Sequence, residues 1–299
     1  MTGVWYGIAA YSIWGLLTLY WRLFPHVPAV QVLGHRIVWA FVVLAAIIAA
    51  SWPRRRTTMR LLTPRAIGLY AVAAALISIN WFLFLWAVNN GLVVASSLGY
   101  FITPLVNVLL GVIVLRERLR AMQWLAVALA FAGVVRLALA YGGVPWIALA
   151  LAASFGGYGL VKKTAPLPSL EGLAVETAVL FLPAATYLVL LDRQGTGAFL
   201  DNGVLTDVLL VMAGGITIVP LLLFASAVRR VPLSVIGVLQ YISPTIQFLL
   251  GVLVIREPFT QSQLSGFVLV WMGLLVFGLD GVRTRRSAAV APVLDEGAA

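Results

Sequence analysis

The sequence predicts an all-α polytopic membrane protein, with ten transmembrane helices in two inverted five-helix repeats and both termini cytoplasmic. Three observations carry this reading. The first is composition: 62% of the 299 residues are hydrophobic and 10% charged, whereas roughly half of a soluble domain is apolar. The second is a repeat, since Leu98 to Glu117 recurs without a gap as Val238 to Glu257. Pro104 falls on Pro244, Gly111 on Gly251, Arg116 on Arg256 and Glu117 on Glu257, an offset of 140. The third is the distribution of lysine and arginine over the loops.

Apolar runs lie at 4–23, 29–50, 66–88, 93–115, 122–140, 144–161, 169–191, 206–227, 234–255 and 263–280. Each is long enough to cross a hydrocarbon core of about 30 Å as a helix. The first has neither a basic leader nor a small-residue cleavage site before it, so it is expected to stay in the membrane. Residues 1–140 form the first repeat, 141–280 the second, and 281–299 a disordered cytoplasmic tail.

The loops fix the orientation in order. Arg22 follows the first run, Arg54, Arg55, Arg56, Arg60 and Arg65 follow the second, and Asn89-Asn90 follows the third. Arg116, Arg118 and Arg120 follow the fourth. Lys162 and Lys163 then alternate with Arg193, Arg229 and Arg230 with Arg256, and Arg283, Arg285 and Arg286 close the series. Fifteen cations fall on one side and three on the other, which makes the rich side cytoplasmic. A five-helix unit places its second copy upside down, so equivalent loops should differ in charge. Asn89-Asn90 aligns with Arg229-Arg230, Arg22 with Lys162, and the segment from Arg116 to Arg120 with Arg256-Glu-Pro-Phe-Thr260. Inverted repeats with a site near the midplane between the halves recur in secondary transporters.

Composition and motifs also exclude function classes. The net charge of +10 sits in short loops between apolar runs, so the partner it implies is the lipid bilayer and not nucleic acid. The chain has no cysteine, which excludes disulfides, thiol catalysis and cysteine metal sites. There is no HExxH, GxSxG, Walker A or paired-aspartate motif, so neither an enzyme nor a cofactor or metal site is expected.

Candidate binding residues lie on the repeated segment and on the spans that can surround it. Tyr100, Pro104, Asn107 and Gly111 step by four, three and four, as do Gln240, Pro244, Gln247 and Gly251, which places each set on one helix face. Pro104 and Pro244 lack the amide hydrogen that would bond the carbonyls of Tyr100 and Gln240. The two helices are therefore expected to kink and to line a cavity with Asn107 and Gln247; alternatively, the Thr103 and Ser243 hydroxyls satisfy the backbone. Tyr11 and Trp14, Asn80 and Trp81, Ser154 and Tyr158, and Thr217 with Pro220 extend that surface on spans 1, 3, 6 and 8. An aromatic cavity with few hydrogen-bonding groups suits a small, flat, amphipathic molecule. Trp5, Trp52, Trp124 and Trp146 lie at span ends and read as interfacial anchors.

Ionisable groups inside a membrane cost about 2.5–3.5 kcal/mol each at the helix centre, which makes His35, Arg36, Arg136 and Glu176 functional candidates, the first two and Glu176 for gating or coupling. The offset aligns Arg36 with Glu176. Each lies seven residues from its span's first residue, Ala29 or Ser169, hence about 10 Å deep. They enter from opposite faces of a core about 30 Å thick, which leaves a vertical gap of roughly 10 Å. They are expected as gate residues at opposite ends of the cavity, with Glu176 the candidate for proton coupling; the alternative is a structural role for each. Arg136 is expected to snorkel. The Arg116-Glu117 and Arg256-Glu257 pairs are expected to end their helices, arginine on the C-terminal dipole and glutamate facing water.

Several segments together resemble the RarD permeases, in the EamA branch of the drug/metabolite transporter superfamily. They are Gly34-His-Arg-Ile37, Asn80-Trp81, Trp86-Ala-Val-Asn-Asn90, Ser97-Leu-Gly-Tyr-Phe-Ile-Thr-Pro-Leu-Val-Asn107, Met122-Gln-Trp-Leu-Ala-Val127, Tyr158-Gly-Leu-Val161, Glu176-Thr177 and Gln240-Tyr-Ile-Ser-Pro-Thr245. The resemblance spans residues 3–280. It implies ten helices in two inverted repeats, a cavity lined by helices 1, 3, 4, 6, 8 and 9, a bacterial inner-membrane location, and export of a small-molecule substrate. It also carries a label of chloramphenicol-related resistance, which names a phenotype. No Asp or Glu precedes Glu117, so the first helix lacks the carboxylate that small multidrug exchangers of the same superfamily use for proton exchange.

Overall fold

The computed structural model describes residues 2–24, 26–52, 58, 60–89, 93–139, 146–255 and 261–290. The helices are α1 (Thr2–Trp21), α2 (Ala29–Ala50), α3 (Pro64–Asn89), α4 (Val93–Ile113), α5 (Ala121–Leu139), α6 (Trp146–Thr164), α7 (Ser169–Arg193), α8 (Val204–Val228), α9 (Leu233–Gln240), α10 (Ile242–Leu249) and α11 (Gln261–Val290). No strand occurs among the described residues. Among the described residues, seven helical segments are long and apolar enough to cross a membrane, and Leu98–Ile113 is a shorter apolar helix. Trp5, Trp52, Trp124 and Trp146 are all exposed on the outside of the bundle.

Two expected boundaries change. The run at 234–255 is divided: α9 stops at Gln240, Tyr241 forms a turn, and α10 passes into a π-helix at Leu250–Ile255. The break falls where Pro244 has no amide hydrogen for the Gln240 carbonyl. In contrast, Pro104 sits inside the continuous α4. The last helix runs on to Val290, so 281–290, expected as disordered tail, continues α11. Residues 291–299, Arg54, Arg55, Arg56, Arg256 and Glu257 lie outside the described residues.

Residues 140 apart meet at the junction of the two halves. Phe41 of α2 packs on Phe181 of α7 with ring centroids 4.5 Å apart. The Tyr241 hydroxyl donates to the Phe101 carbonyl at 3.2 Å. Helices α5 and α11 cross through glycines at equivalent positions. A Cβ on Gly133 would lie 2.8 Å from the Gly266 carbonyl oxygen, and one on Gly273 would lie 2.7 Å from that of Ala126. Small residues permit such backbone contact between membrane helices. Moving up α5 from 126 to 133 moves down α11 from 273 to 266, so these equivalent helices run antiparallel.

Candidate functional site: a charged aromatic recess

A recess opens between α2, α3, α6, α7 and α8. Arg36, Trp81, Tyr158, Glu176 and Thr217 supply its polar and aromatic wall, and Leu173, Leu180 and Leu221 part of its apolar wall. Five expected site residues therefore converge, each from a different helix.

Glu176 stands on the second turn of α7 and is buried. Its Oε1 accepts from Lys162 Nζ at 2.6 Å, and its Oε2 accepts from the Tyr158 hydroxyl at 3.1 Å. Lys162 is buried as well, with Nζ 5.6 Å from the Tyr70 ring centroid and 5.8 Å from that of Tyr158. The reading of Lys162 as a loop cation is corrected: its ammonium turns inward from the last turn of α6. A buried carboxylate needs a cation and hydrogen-bond donors to offset its desolvation, and Lys162 and Tyr158 provide both. Their i, i+4 spacing on one helix face was the signal available in the sequence.

Arg36 and Glu176 form no ion pair among the described residues. Arg36 instead donates from Nε to Thr217 Oγ1 at 2.9 Å. Its guanidinium carbon lies 4.5 Å from the Trp21 ring centroid and 4.8 Å from that of Trp81. Stacking on indoles is a favourable placement for a weakly hydrated guanidinium. Thr217 is itself anchored to the Ala213 carbonyl at 2.7 Å. Trp21 was not among the expected residues.

Beside the recess lies an aromatic core. Phe224 packs with Tyr11, Trp14, Phe155 and Tyr158 at centroid separations of 6.2, 5.7, 5.5 and 5.8 Å. The sequence alone does not single out Phe155 or Phe224, although Phe224 follows Thr217 by seven residues, two turns along one face. Tyr11 is fully buried, and its hydroxyl has no hydrogen-bond partner among the described residues.

Other expected binding residues hold helices together. Asn80 Nδ2 donates to the Leu151 carbonyl at 2.8 Å and to Ser154 Oγ at 3.1 Å, fastening α3 to α6. Asn107 Nδ2 donates to Gln240 Oε1 at 2.8 Å, joining α4 to α9, and both residues are buried. Among the described residues, Gln247 reaches only Ser243 of its own helix, at 3.5 Å. Tyr100 is partly exposed and packs on Phe84 at 5.7 Å. His35 is buried against Phe199 at 5.1 Å, with Nδ1 unpartnered among the described residues. Arg136 bonds Ser265 on α11. Near Pro104, the Thr103 hydroxyl bonds the Gly99 carbonyl at 2.7 Å.

Glu117 does not face water. Its Oε1 accepts from the Leu233 amide at 2.6 Å, and its Oε2 accepts from the Ser234 amide at 2.9 Å and hydroxyl at 2.7 Å. The first turn of α9 follows Pro232, which offers no side-chain cap, so its free amides and positive dipole end attract a carboxylate. Arg116 adopts a left-handed conformation with φ 55. The Glu117 amide then closes on the Gly111 carbonyl at 2.9 Å, a helix-ending turn that leads the chain toward α9.

The EamA-like transporter family profile matches residues 1–139 and again 143–279. Protein RarD of Streptomyces exfoliatus is 49% identical over 291 residues, 96% of this chain and 92% of that protein. Uncharacterized transporter YojE of Bacillus subtilis (strain 168) is 42% identical over 96% of both chains. Protein RarD of Escherichia coli (strain K12) is 42% identical over 95% of this chain and 96% of that one. A solved crystal structure, 20% identical, superposes with a TM-score of 0.70 over 94% of this chain and 98% of that one, which shows a shared fold.

Proposed function

The chain belongs to the EamA-like transporter family as a RarD-like, multi-pass membrane transporter, and from this we propose a secondary transporter working by alternating access. It exports a small amphipathic drug or metabolite, a chloramphenicol-like compound or an amino-acid-like metabolite, across the bacterial inner membrane. Ten spans in two inverted repeats with cytoplasmic termini provide the two half-bundles that rock about the site. The antiparallel crossing of the equivalent helices α5 and α11, with Gly133 on Gly266 and Gly273 on Ala126, supports the inversion.

The observation that carries the reading is the recess itself. It places Arg36, Glu176, Trp81 and Tyr158 inside an apolar helical bundle, where a charged group is functional by default. A second reading, an uncoupled facilitator for an aromatic or other amino-acid-like metabolite, is favoured by the 2.6 Å contact of Lys162 with Glu176. That contact neutralises the carboxylate proposed to carry a proton.

Uptake of labelled chloramphenicol and aromatic amino acids into liposomes, with and without the protein and with and without a pH gradient, separates them. Accumulation above equilibrium only with the gradient is the result expected of the coupled transporter. Saturable equilibration indifferent to the gradient selects the facilitator. Uptake equal to empty liposomes for these and all other solutes offered would overturn both.

A further inference from the structure

Resting on the transporter reading, we infer that the recess binds an organic anion. The anion's carboxylate sits on the Arg36 guanidinium, and its planar apolar part lies against Trp81 and Tyr158.

The argument begins with charge. Lys162 and Glu176 cancel each other at 2.6 Å. Arg36 makes no ion pair among the described residues, and its only hydrogen bond there is from Nε to the neutral Thr217 hydroxyl. One positive charge therefore faces the recess unmatched, in a span where an isolated ion is costly. An anionic solute supplies the missing partner.

Geometry narrows the class. Thr217 holds the Nε edge of the guanidinium, and Trp21 and Trp81 hold its carbon 4.5 and 4.8 Å from their ring centroids. Nη1 and Nη2 have no protein partner among the described residues, and Arg36 lines the recess. A guanidinium fixed in this way presents two parallel N–H donors, which match a carboxylate in bidentate fashion. The remaining wall is flat and apolar: Trp81 and Tyr158 with Leu173, Leu180 and Leu221. The recess as it stands encloses about 20 Å³, room for about one water, so an aromatic or similarly planar body reaches this wall as the helices around it part in the transport cycle. The best occupant is therefore an aryl carboxylate monoanion, ahead of a neutral amide of the same shape.

The test is equilibrium binding of 2-naphthoate and its neutral isostere 2-naphthamide to the full-length protein purified in detergent. In the native protein the carboxylate is expected to bind roughly tenfold or more tightly than the amide. Arg36→Gln should bring the ratio to about one, while Arg36→Lys, which keeps charge but loses the fork and the stacking, should leave an intermediate ratio. Should Arg36→Gln fail to stay monodisperse, Arg36→Lys and the native ratio decide the matter. A native ratio near one, no binding of either probe, or a ratio that survives Arg36→Gln would overturn the inference. The transporter reading is scored separately in proteoliposomes. Neutral solute moved by a protein with a ratio near one defeats only the anion site. An Arg36-dependent ratio in a protein that moves no solute supports the site and defeats the transport reading.

Discussion

Lys162 and Glu176 come from consecutive helices and meet at 2.6 Å, with side chains only 3% and 2% exposed. They are fourteen residues apart in a chain whose halves repeat every 140, so this contact belongs to one half alone. Its equivalent by the offset would join Arg22 to Arg36, two cations. The halves thus share a backbone plan but not electrostatics. A recess needs such asymmetry if its two ends are to differ.

Breaking this pair should cost more than deleting it. Lys162→Met or Glu176→Gln alone leaves a buried polar or charged group uncompensated, with an expected loss of about 3–5 kcal/mol for a severed buried pair. The double variant should recover most of that loss. Thermal unfolding in detergent across the four-member cycle measures it; additive losses would show that the two side chains act independently.

Glu176→Gln also tests coupling. If the carboxylate carries a proton, the variant should lose accumulation driven by a pH gradient while solute exchange persists. Unchanged gradient-driven accumulation would confine Glu176 to the structural pair and strengthen the facilitator reading.

Glu117→Ala should loosen the start of α9. The carboxylate satisfies the Leu233 and Ser234 amides, and losing a helix cap of this kind costs about 0.5–2 kcal/mol. Amide hydrogen exchange at 233–236 should accelerate, with Glu117→Gln intermediate because an amide keeps one acceptor oxygen. Exchange identical to the native protein would mean that Glu117 does not cap the helix in solution.

Gly237→Ala should be poorly tolerated, because its added Cβ would stand 2.5 Å from the Pro104 carbonyl oxygen, whereas Gly215 has nothing within 4 Å. Gly237→Ala must push α9 from α4 and strain the Asn107 to Gln240 bond, lowering the unfolding temperature. Gly215→Ala should be neutral or stabilising, since alanine restricts the unfolded chain and favours helix. Equal effects from both would refute the close crossing.

Arg36, Trp81, Tyr158, Glu176 and Thr217 could be read from the sequence because polar and aromatic side chains are conspicuous inside apolar spans. What each one touches could not. Asn80 and Asn107 carry amides that suit a ligand or a neighbouring helix equally well, and only folding brings Leu151 and Gln240 to them, 71 and 133 residues away. Counting loop charges puts Lys162 in a loop because it records a charge near a span end, not the direction its long side chain takes. Glu117 misled for a related reason. A carboxylate after a helix C-terminus looks solvated until the chain delivers the bare first turn of α9 beside it.

The inverted topology is open to a direct test, because the natural chain has no cysteine and any introduced thiol is unique. Leu61 and Asp201 are 140 apart, and both are exposed. A parallel repeat would place them on the same face of the membrane, whereas an inverted one with cytoplasmic termini places Leu61 inside and Asp201 outside. In intact cells, a membrane-impermeant maleimide should label Asp201→Cys and spare Leu61→Cys, and permeabilisation should make both reactive. Labelling of both before permeabilisation would refute the inversion, and the rocking of opposed half-bundles would fall with it. The reverse pattern would preserve the inversion but place the termini outside, setting the lysine and arginine bias of the loops against the observed orientation.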